Sequence, residues 1–349
     1  MKFIAFLRKY KKHIIALLLV FVLILVGKFI SKVDFKELGN YLIQMPEMFV
    51  GVIVASFLAY TASTIAWKLI LGEESKKLGF INLFMIKHVG EILTTFNPTG
   101  IIAGEGIKAV YLRKYDVDTR YSVSSIAMIR ILLMVSGVFL MLISGVYLIA
   151  VKAGDSSKLL YVIITVVLTA VFSYFLMVYL LNPKLYLGKT VEYISKKKSW
   201  SFLTDKVISS AYEINKISSN FFMANKVRFI VAFLLCMLHW IFLAVEFYII
   251  FNILGLNVSV IDSIAVQMGV ILFITLGAVV PGQIGIEEYG NKVMFDAIGI
   301  QSNEVWFVAT LMRRARLVFW LLVAGIFMFF ISKTSNMKFK SPNSERKPD

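Results

Sequence analysis

Six segments of this chain, 13–31, 48–71, 122–151, 159–182, 229–254 and 303–332, are almost unbroken runs of apolar side chains. Each is close to the roughly 20 residues that a helix rising 1.5 Å per residue needs to cross a hydrocarbon core about 30 Å thick. A soluble fold has no way to cover so many such runs. The sequence is 59% hydrophobic and only 17% charged, against roughly half and a quarter in soluble domains. The fold predicted is an all-α integral membrane protein with about six transmembrane helices.

Two further apolar stretches, 81–97 and 263–280, are shorter and end in a break. The first runs into Asn97, Pro98, Thr99 and Gly100, the second into Pro281, Gly282, Gln283, Ile284 and Gly285. Short helical patterns follow at 104–115 and 286–299. Proline removes a backbone donor and glycine permits a sharp turn. Open backbone is tolerated at membrane depth only where it is buried in protein or lines a wet cavity. Both stretches therefore read as re-entrant hairpins whose bends point into the protein interior.

The net charge is +16, and its placement matters more than its size. Basic runs such as Arg8-Lys9-Tyr10-Lys11-Lys12 and Lys196-Lys197-Lys198 sit at the ends of apolar segments. Such runs hold loops on the cytoplasmic side and contact anionic lipid, so nucleic acid is not an expected partner. The basic first twelve residues and the tail place both termini in the cytoplasm. Segment 255–302 has no arginine and one lysine, Lys292, and falls outside. The second hairpin then enters from the outer face and the first from the cytoplasm. Loop 183–228, with nine Lys/Arg and three acids, is cytoplasmic. Its amphipathic pattern around 202–222 reads as a helix lying on the membrane interface. The first apolar run lacks a small-x-small cleavage site and reads as an uncleaved span. The single cysteine, Cys236, rules out a disulfide framework and a thiolate metal site within the chain. One membrane domain is expected over 1–335, followed by a short basic, disordered tail at 336–349.

The two breaks repeat one another. Pro98 and Pro281 are 183 residues apart; Glu105 and Glu288 each lie seven residues further on, and Arg130 and Arg313 each lie thirty-two residues further on. This shared offset reads as duplication of a unit, about 81–151 and again about 263–332. Three spans separate the hairpins, and an odd number inverts the second copy. Inverted repeats with broken helices, meeting near the bilayer midplane, are the architecture of many secondary transporters.

An ionisable group at membrane depth costs on the order of 2.5–3.5 kcal/mol or more and stays only if paired or wetted. Arg130 lies roughly 12 Å into its span at 1.5 Å per residue, and Arg313 lies similarly deep with Arg314 and Arg316 nearby. A guanidinium fork suits phosphate or carboxylate. Two readings stand for Arg130 and Arg313: a site for a lipid phosphate, or structural pairs with Glu105 and Glu288. Lys108, one turn after Glu105, joins the candidate set. Glu105 and Glu288 each follow a break, where a carboxylate caps a helix or serves as a proton site or counter-ion. Glu246 is a candidate proton carrier, seven residues from His239 on one helix face. His88 and Glu91 lie one turn apart in the first hairpin, and two groups make no metal site. Glu287 reads as facing water, Tyr60 and Trp306 as interface anchors or packing. Gly282 and Gly285, with Asn97, Pro98, Gly100 and Pro281, serve the hairpin backbones. No nucleotide-binding, metalloprotease or nucleophile-elbow motif is present. No cofactor, no metal and no enzymatic reaction is expected.

The strings Asn97-Pro98…Gly104-Glu105-Gly106-Ile107-Lys108 and Pro281-Gly282-Gln283-Ile284-Gly285-Ile286-Glu287-Glu288 resemble the paired motifs of the lysylphosphatidylglycerol synthase/flippase transmembrane family. The similarity covers roughly 10–335. It implies a flippase-like membrane domain for phospholipids or polyprenyl-phosphate lipids, in a bacterial inner membrane. Members that make aminoacyl lipids carry a soluble synthase domain after the membrane part, whereas this chain ends at Asp349; that argues against lysyl transfer. Gln283 stands where a second glycine is common, and Lys108 where arginine is common. The alternatives are a membrane-embedded lipid-modifying transferase and a non-catalytic partner of a separate synthase docked on loop 183–228. The protein partners to expect are a second copy of the chain or such a synthase.

Overall fold

The computed structural model describes residues 45–96, 100–152, 181–197, 204–277 and 283–339, with isolated positions between them. Among these residues there is helix and no strand. The expected span 13–31, most of 159–182, the breaks at Asn97, Pro98, Pro281 and Gly282, and the tail beyond 339 lie outside the described residues.

The described residues form ten α-helices: α1 Met45–Leu71, α2 Gly79–Phe96, α3 Gly100–Arg113, α4 Thr119–Lys152, α5 Tyr186–Lys197, α6 Asp205–Ala224, α7 Lys226–Ile253, α8 Val260–Leu276, α9 Ile286–Ala297 and α10 Asn303–Phe339. A short 3₁₀ segment, Gly72–Lys77, links α1 to α2. Among the described residues, four stretches are long and apolar enough to cross a membrane: Met45–Lys77, Thr119–Leu148, Lys226–Ile253 and Asn303–Ile331. They coincide with four of the six expected spans. Val318, Leu322, Ile326, Phe329 and Phe330 of α10 are more than half exposed. Apolar side chains in that position need a lipid neighbour, because no polar cover is available to them.

α1 and α7 pack along much of their length and form the centre of the molecule. One apolar core gathers Trp67, Leu83, Ile86, Leu112, Met128 and Leu132. A second gathers Met48, Val52, Phe247, Phe251, Phe295 and Trp306. Buried polar side chains find partners on neighbouring helices, as hydrocarbon offers no water to satisfy them. Trp67 Nε1 donates to Ser125 Oγ at 3.2 Å, and Trp320 Nε1 donates to Ser56 Oγ at 2.8 Å. Cys236 is fully buried in the first core.

The short helices pair as expected. α2 packs on α3, and α8 on α9. In the first pair the two backbones touch: a Cβ on Gly90 would collide with the Gly104 carbonyl, and one on Gly104 with the Gly90 carbonyl. In the second pair Gly290 lies against Phe273, and Gly277 against Ile286. Gly285, at φ +77°, begins α9 in the left-handed region, where a side chain is strained. Each pair also leans on the long helix of the other half, α2 on α10 and α8 on α4.

Loop 183–228 holds two helices rather than one. α5 and α6 pack against each other, and α6 packs on α4. Asn215, fully buried on α6, accepts from Leu187 N at 2.7 Å at the start of α5, and Tyr212 of α6 donates to Glu192 of α5 at 2.5 Å.

Candidate functional site

Two clusters of charge lie among these apolar helices, one per hairpin. In the first, the Gly90–Gly104 contact brings α3 close enough for Lys108 to reach across to α2. Its Nζ lies 2.9 Å from Glu91 Oε1 and 3.2 Å from Glu105 Oε2. Lys87, one turn before Glu91, lies 3.7 Å from the same carboxylate. Arg130 of α4 completes the group, 3.1 Å from Glu105 and 3.9 Å from Glu91. Lys87 and Lys108 are almost fully buried, whereas Arg130 keeps 38% of its side chain exposed. Three cations therefore share two carboxylates.

In the second cluster, Arg313 donates from Nε to Glu287 Oε1 at 2.7 Å and from Nη1 to Gln267 Oε1 at 3.1 Å. Its Nη1 also lies 3.4 Å from Glu246 Oε2. Arg316 Nη1 is 2.6 Å from both oxygens of Glu246. Arg314 Nε donates to Glu288 Oε1 at 2.6 Å, and its Nη2 donates to the Gln283 carbonyl at 3.2 Å. Glu288 in turn receives the Gly285 amide, closing a cap at the start of α9. Trp306 Nε1 donates to the Glu288 carbonyl at 2.9 Å. Three arginines are matched here by three carboxylates, all of them substantially buried.

Both clusters open on one cavity of about 270 Å³. Residues of both hairpins line it: Lys87, His88, Glu91, Thr94 and Thr95 from the first, Gln267, Ile271, Ile274, Gln283 and Glu287 from the second. Arg130 enters from α4, Arg313 and Arg316 from α10, Tyr60 from α1, and His239 and Trp240 from α7. Four cations and two carboxylates face it. The histidines are anchored at their backs: His88 Nε2 donates to the Trp320 carbonyl at 3.0 Å, and His239 Nδ1 to the Ala59 carbonyl at 2.8 Å. Among the described residues no histidine, cysteine or carboxylate group is arranged to hold a metal.

The structure brings Arg130, Glu105 and Lys108 together, and Arg313, Glu246 and Glu287 together. The pairing expected from the shared offset holds in the first half only. Arg130 meets Glu105, but Arg313 meets Glu287, and Glu288 meets Arg314 instead. Two adjacent arginines and two adjacent glutamates put one position of slack into the second half. Gly285 sets the start of α9 so that Glu287 faces α10. Glu287 is buried rather than facing water. Glu246 accepts from two arginines, and its helix mate His239 does not join it. Glu91 pairs with lysines and Arg130, not with His88. Gly100 begins α3 and Gly285 precedes α9, while Asn97, Pro98, Pro281 and Gly282 are outside the described residues. Lys87, Gln267 and Tyr60 line the cavity and were not singled out from the sequence as site residues. The i,i+4 spacing of Lys87 and Glu91 inside an apolar helix was the available signal; Gln267 and Tyr60 carry none.

The model of the family described as the lysylphosphatidylglycerol synthase TM region matches residues 13–325. The chain is also similar to a UPF0104 membrane protein of Pyrococcus horikoshii, 25% identical over 292 residues, which is 78% of this chain and 85% of that protein. No solved structure matches it.

Proposed function

We propose that this chain, which belongs to the lysylphosphatidylglycerol synthase transmembrane family, moves a phosphate-bearing lipid between the leaflets of a bacterial cytoplasmic membrane. The observation that carries the reading is the shared cavity, lined from both hairpins by four cations and two carboxylates inside an apolar helix bundle. Such charge is costly in hydrocarbon and is kept where it handles a polar cargo. A phosphate entering between the hairpins would exchange for carboxylates already paired to Arg130, Arg313 and Lys87, while the acyl or prenyl tails stay in lipid. Glu91 and Glu287 then serve as internal counter-ions, holding the cations when the site is empty and displaced when it is filled. Glu105, Glu288, Lys108 and Glu246 fix the geometry of those pairs from behind. The hairpins act as re-entrant elements of an inverted repeat, reached from opposite faces. The chain carries out no reaction on the lipid, and its termini are cytoplasmic by the distribution of lysine and arginine.

Reconstitution into vesicles tests this. Fluorescent phospholipid should cross the bilayer in the presence of the protein at a rate that Arg130→Ala and Lys87→Ala each lower by tenfold or more. Unchanged rates in both variants, with the folded protein recovered in each case, would rule the mechanism out.

A further inference from the structure

A second place in the molecule is shaped for a ligand, away from the cavity. The start of α4 and the first half of α6 enclose a polar groove of about 350 Å³, lined by Thr119, Arg120, Ser124, Ser209, Ser210 and Glu213. An apolar groove of about 390 Å³ adjoins it between α5 and α6, where Leu187, Val207 and Ala211 lie. Ser210 and Ile214 border both. α4 is one of the long apolar helices, and α6 passes through Asn225 straight into another, α7. α6 therefore lies across the ends of two spans, at the depth where lipid headgroups give way to chains.

The polar groove is unfinished. Ser122 and Ser125 return their hydroxyl protons to their own helix, to the carbonyls of Asp118 and Ser122, both at 3.0 Å. Ser124 between them is 2% exposed and has no hydrogen-bond partner among the described residues. A buried hydroxyl left in that state is costly until a ligand meets it. Arg120 and Glu213 face each other at 4.0 Å, too far for a hydrogen bond, with 70% and 43% of their side chains exposed. The first amides of α4 are not free to help, because Asp118 Oδ1 already accepts from Arg120 N at 2.7 Å. The site therefore rests on side chains: hydroxyls, one cation and one carboxylate.

One charge of each sign selects a ligand that carries both. A net anion gains Arg120 but meets Glu213, and a net cation the reverse. A phosphate joined by a two-carbon arm to an ammonium can lie along the pair. Its phosphate then rests on Arg120 and the serines and its ammonium on Glu213, each contact charge-assisted. The adjoining apolar groove takes the chain that such a head brings with it, whereas a free headgroup would leave that groove bare to water. We propose that the α4–α6 groove holds a resident zwitterionic phospholipid, its head between Arg120 and Glu213 and one acyl chain along Val207, Ala211 and Ile214. This lipid is not the cargo of the cavity. It ties α6 to α4, and the inference stands whether or not the cavity transports.

Amide exchange reads this site apart from the cavity. The delipidated, detergent-purified full chain is titrated with phosphatidylethanolamine, phosphatidylglycerol and diacylglycerol of the same chains, and with free phosphoethanolamine. Phosphatidylethanolamine should slow exchange along Asp205–Ala224 several-fold more than the other three do. Glu213→Gln should erase its advantage over phosphatidylglycerol, and Arg120→Gln should remove protection by both. Neither side chain is buried, so both variants should fold. Val207→Asp, at a position 40% exposed, should weaken the response to the lipid by charging the chain groove. Equal protection by phosphatidylethanolamine and phosphatidylglycerol in the unaltered chain overturns the zwitterionic assignment. Equal protection by free phosphoethanolamine overturns the lipid, and no protection by any of the four overturns the site.

Discussion

Arg316 and Glu246 lie 70 positions apart in sequence, and one guanidinium nitrogen of the first sits 2.6 Å from both carboxylate oxygens of the second. Glu246 is completely buried, and it also faces Arg313. Removing one member of a buried pair strands the other, at a cost of about 3–5 kcal/mol. Glu246→Gln should therefore lower the thermal stability of the detergent-solubilised protein by several degrees or more. Adding Arg316→Gln to it should recover much of the loss, because a neutral hydrogen-bonded pair replaces a stranded cation. Scanning calorimetry or a fluorescence melt reads both.

The first hairpin should respond to a single methyl group. Gly90 and Gly104 touch through their backbones, and a Cβ on Gly104 would run into the Gly90 carbonyl as well as the Thr94 hydroxyl, so moving a side chain alone does not make room for it. Gly104→Ala should push α3 away from α2, pull Lys108 off Glu91 and abolish lipid movement. Gly106→Ala, two residues on, meets nothing within 4 Å and should leave transport unchanged. Equal effects at the two positions would show that helix propensity, not contact, is at stake.

Glu91 holds Lys108 and, more distantly, Lys87 and Arg130. Glu91→Gln leaves these cations in place with less to balance them. Dihexanoyl phosphatidic acid should then bind several-fold tighter, while transport slows because the phosphate is released less readily. Opposite signs in the binding and transport assays are the expected signature.

The pair α5–α6 should loosen as a unit. Asn215→Ala removes the oxygen that accepts from Leu187 N, a contact of the kind that is worth about 1 kcal/mol. Amide exchange should rise along Tyr186–Lys197 and stay unchanged in α7. Acid should act on a second contact of the same pair, Tyr212 to Glu192. Lys196 first, then Tyr212, holds Glu192 below its usual value of 4.5. A depressed carboxylate stabilises above that value, so the effect is complete at neutral pH. It fades as pH falls through the lowered value. Exchange in α5 measured between pH 7 and pH 3 reads this directly.

Four of the expected spans and the two helix pairs were legible in the sequence because hydrocarbon enforces length and polarity along the chain itself. Arg130, Glu105 and Lys108 were legible for a related reason: charge is rare in apolar helices and its position can be counted. The pairing in the second half was not. Three arginines at 313, 314 and 316 and two glutamates at 287 and 288 allow several matches, and a turn of about 100° per residue decides among them. That turn is set where Gly285 starts α9, which no spacing rule reveals. α5 is not legible in the sequence because its pattern is short and strongly charged. Tyr60 and Gln267 gave no sign, since an aromatic or an amide in a span is as often packing as site.

The hairpins are cradled crosswise, α2 against α10 and α8 against α4. Neither half can therefore be complete alone. Expressed separately, each would present its ion-paired arms to lipid with no partner helix to shield them, and activity should return only when both pieces assemble. The same crossing means that a tilt of α4 carries the opposite hairpin with it, so the two walls of the cavity are geared to one another rather than hinged apart.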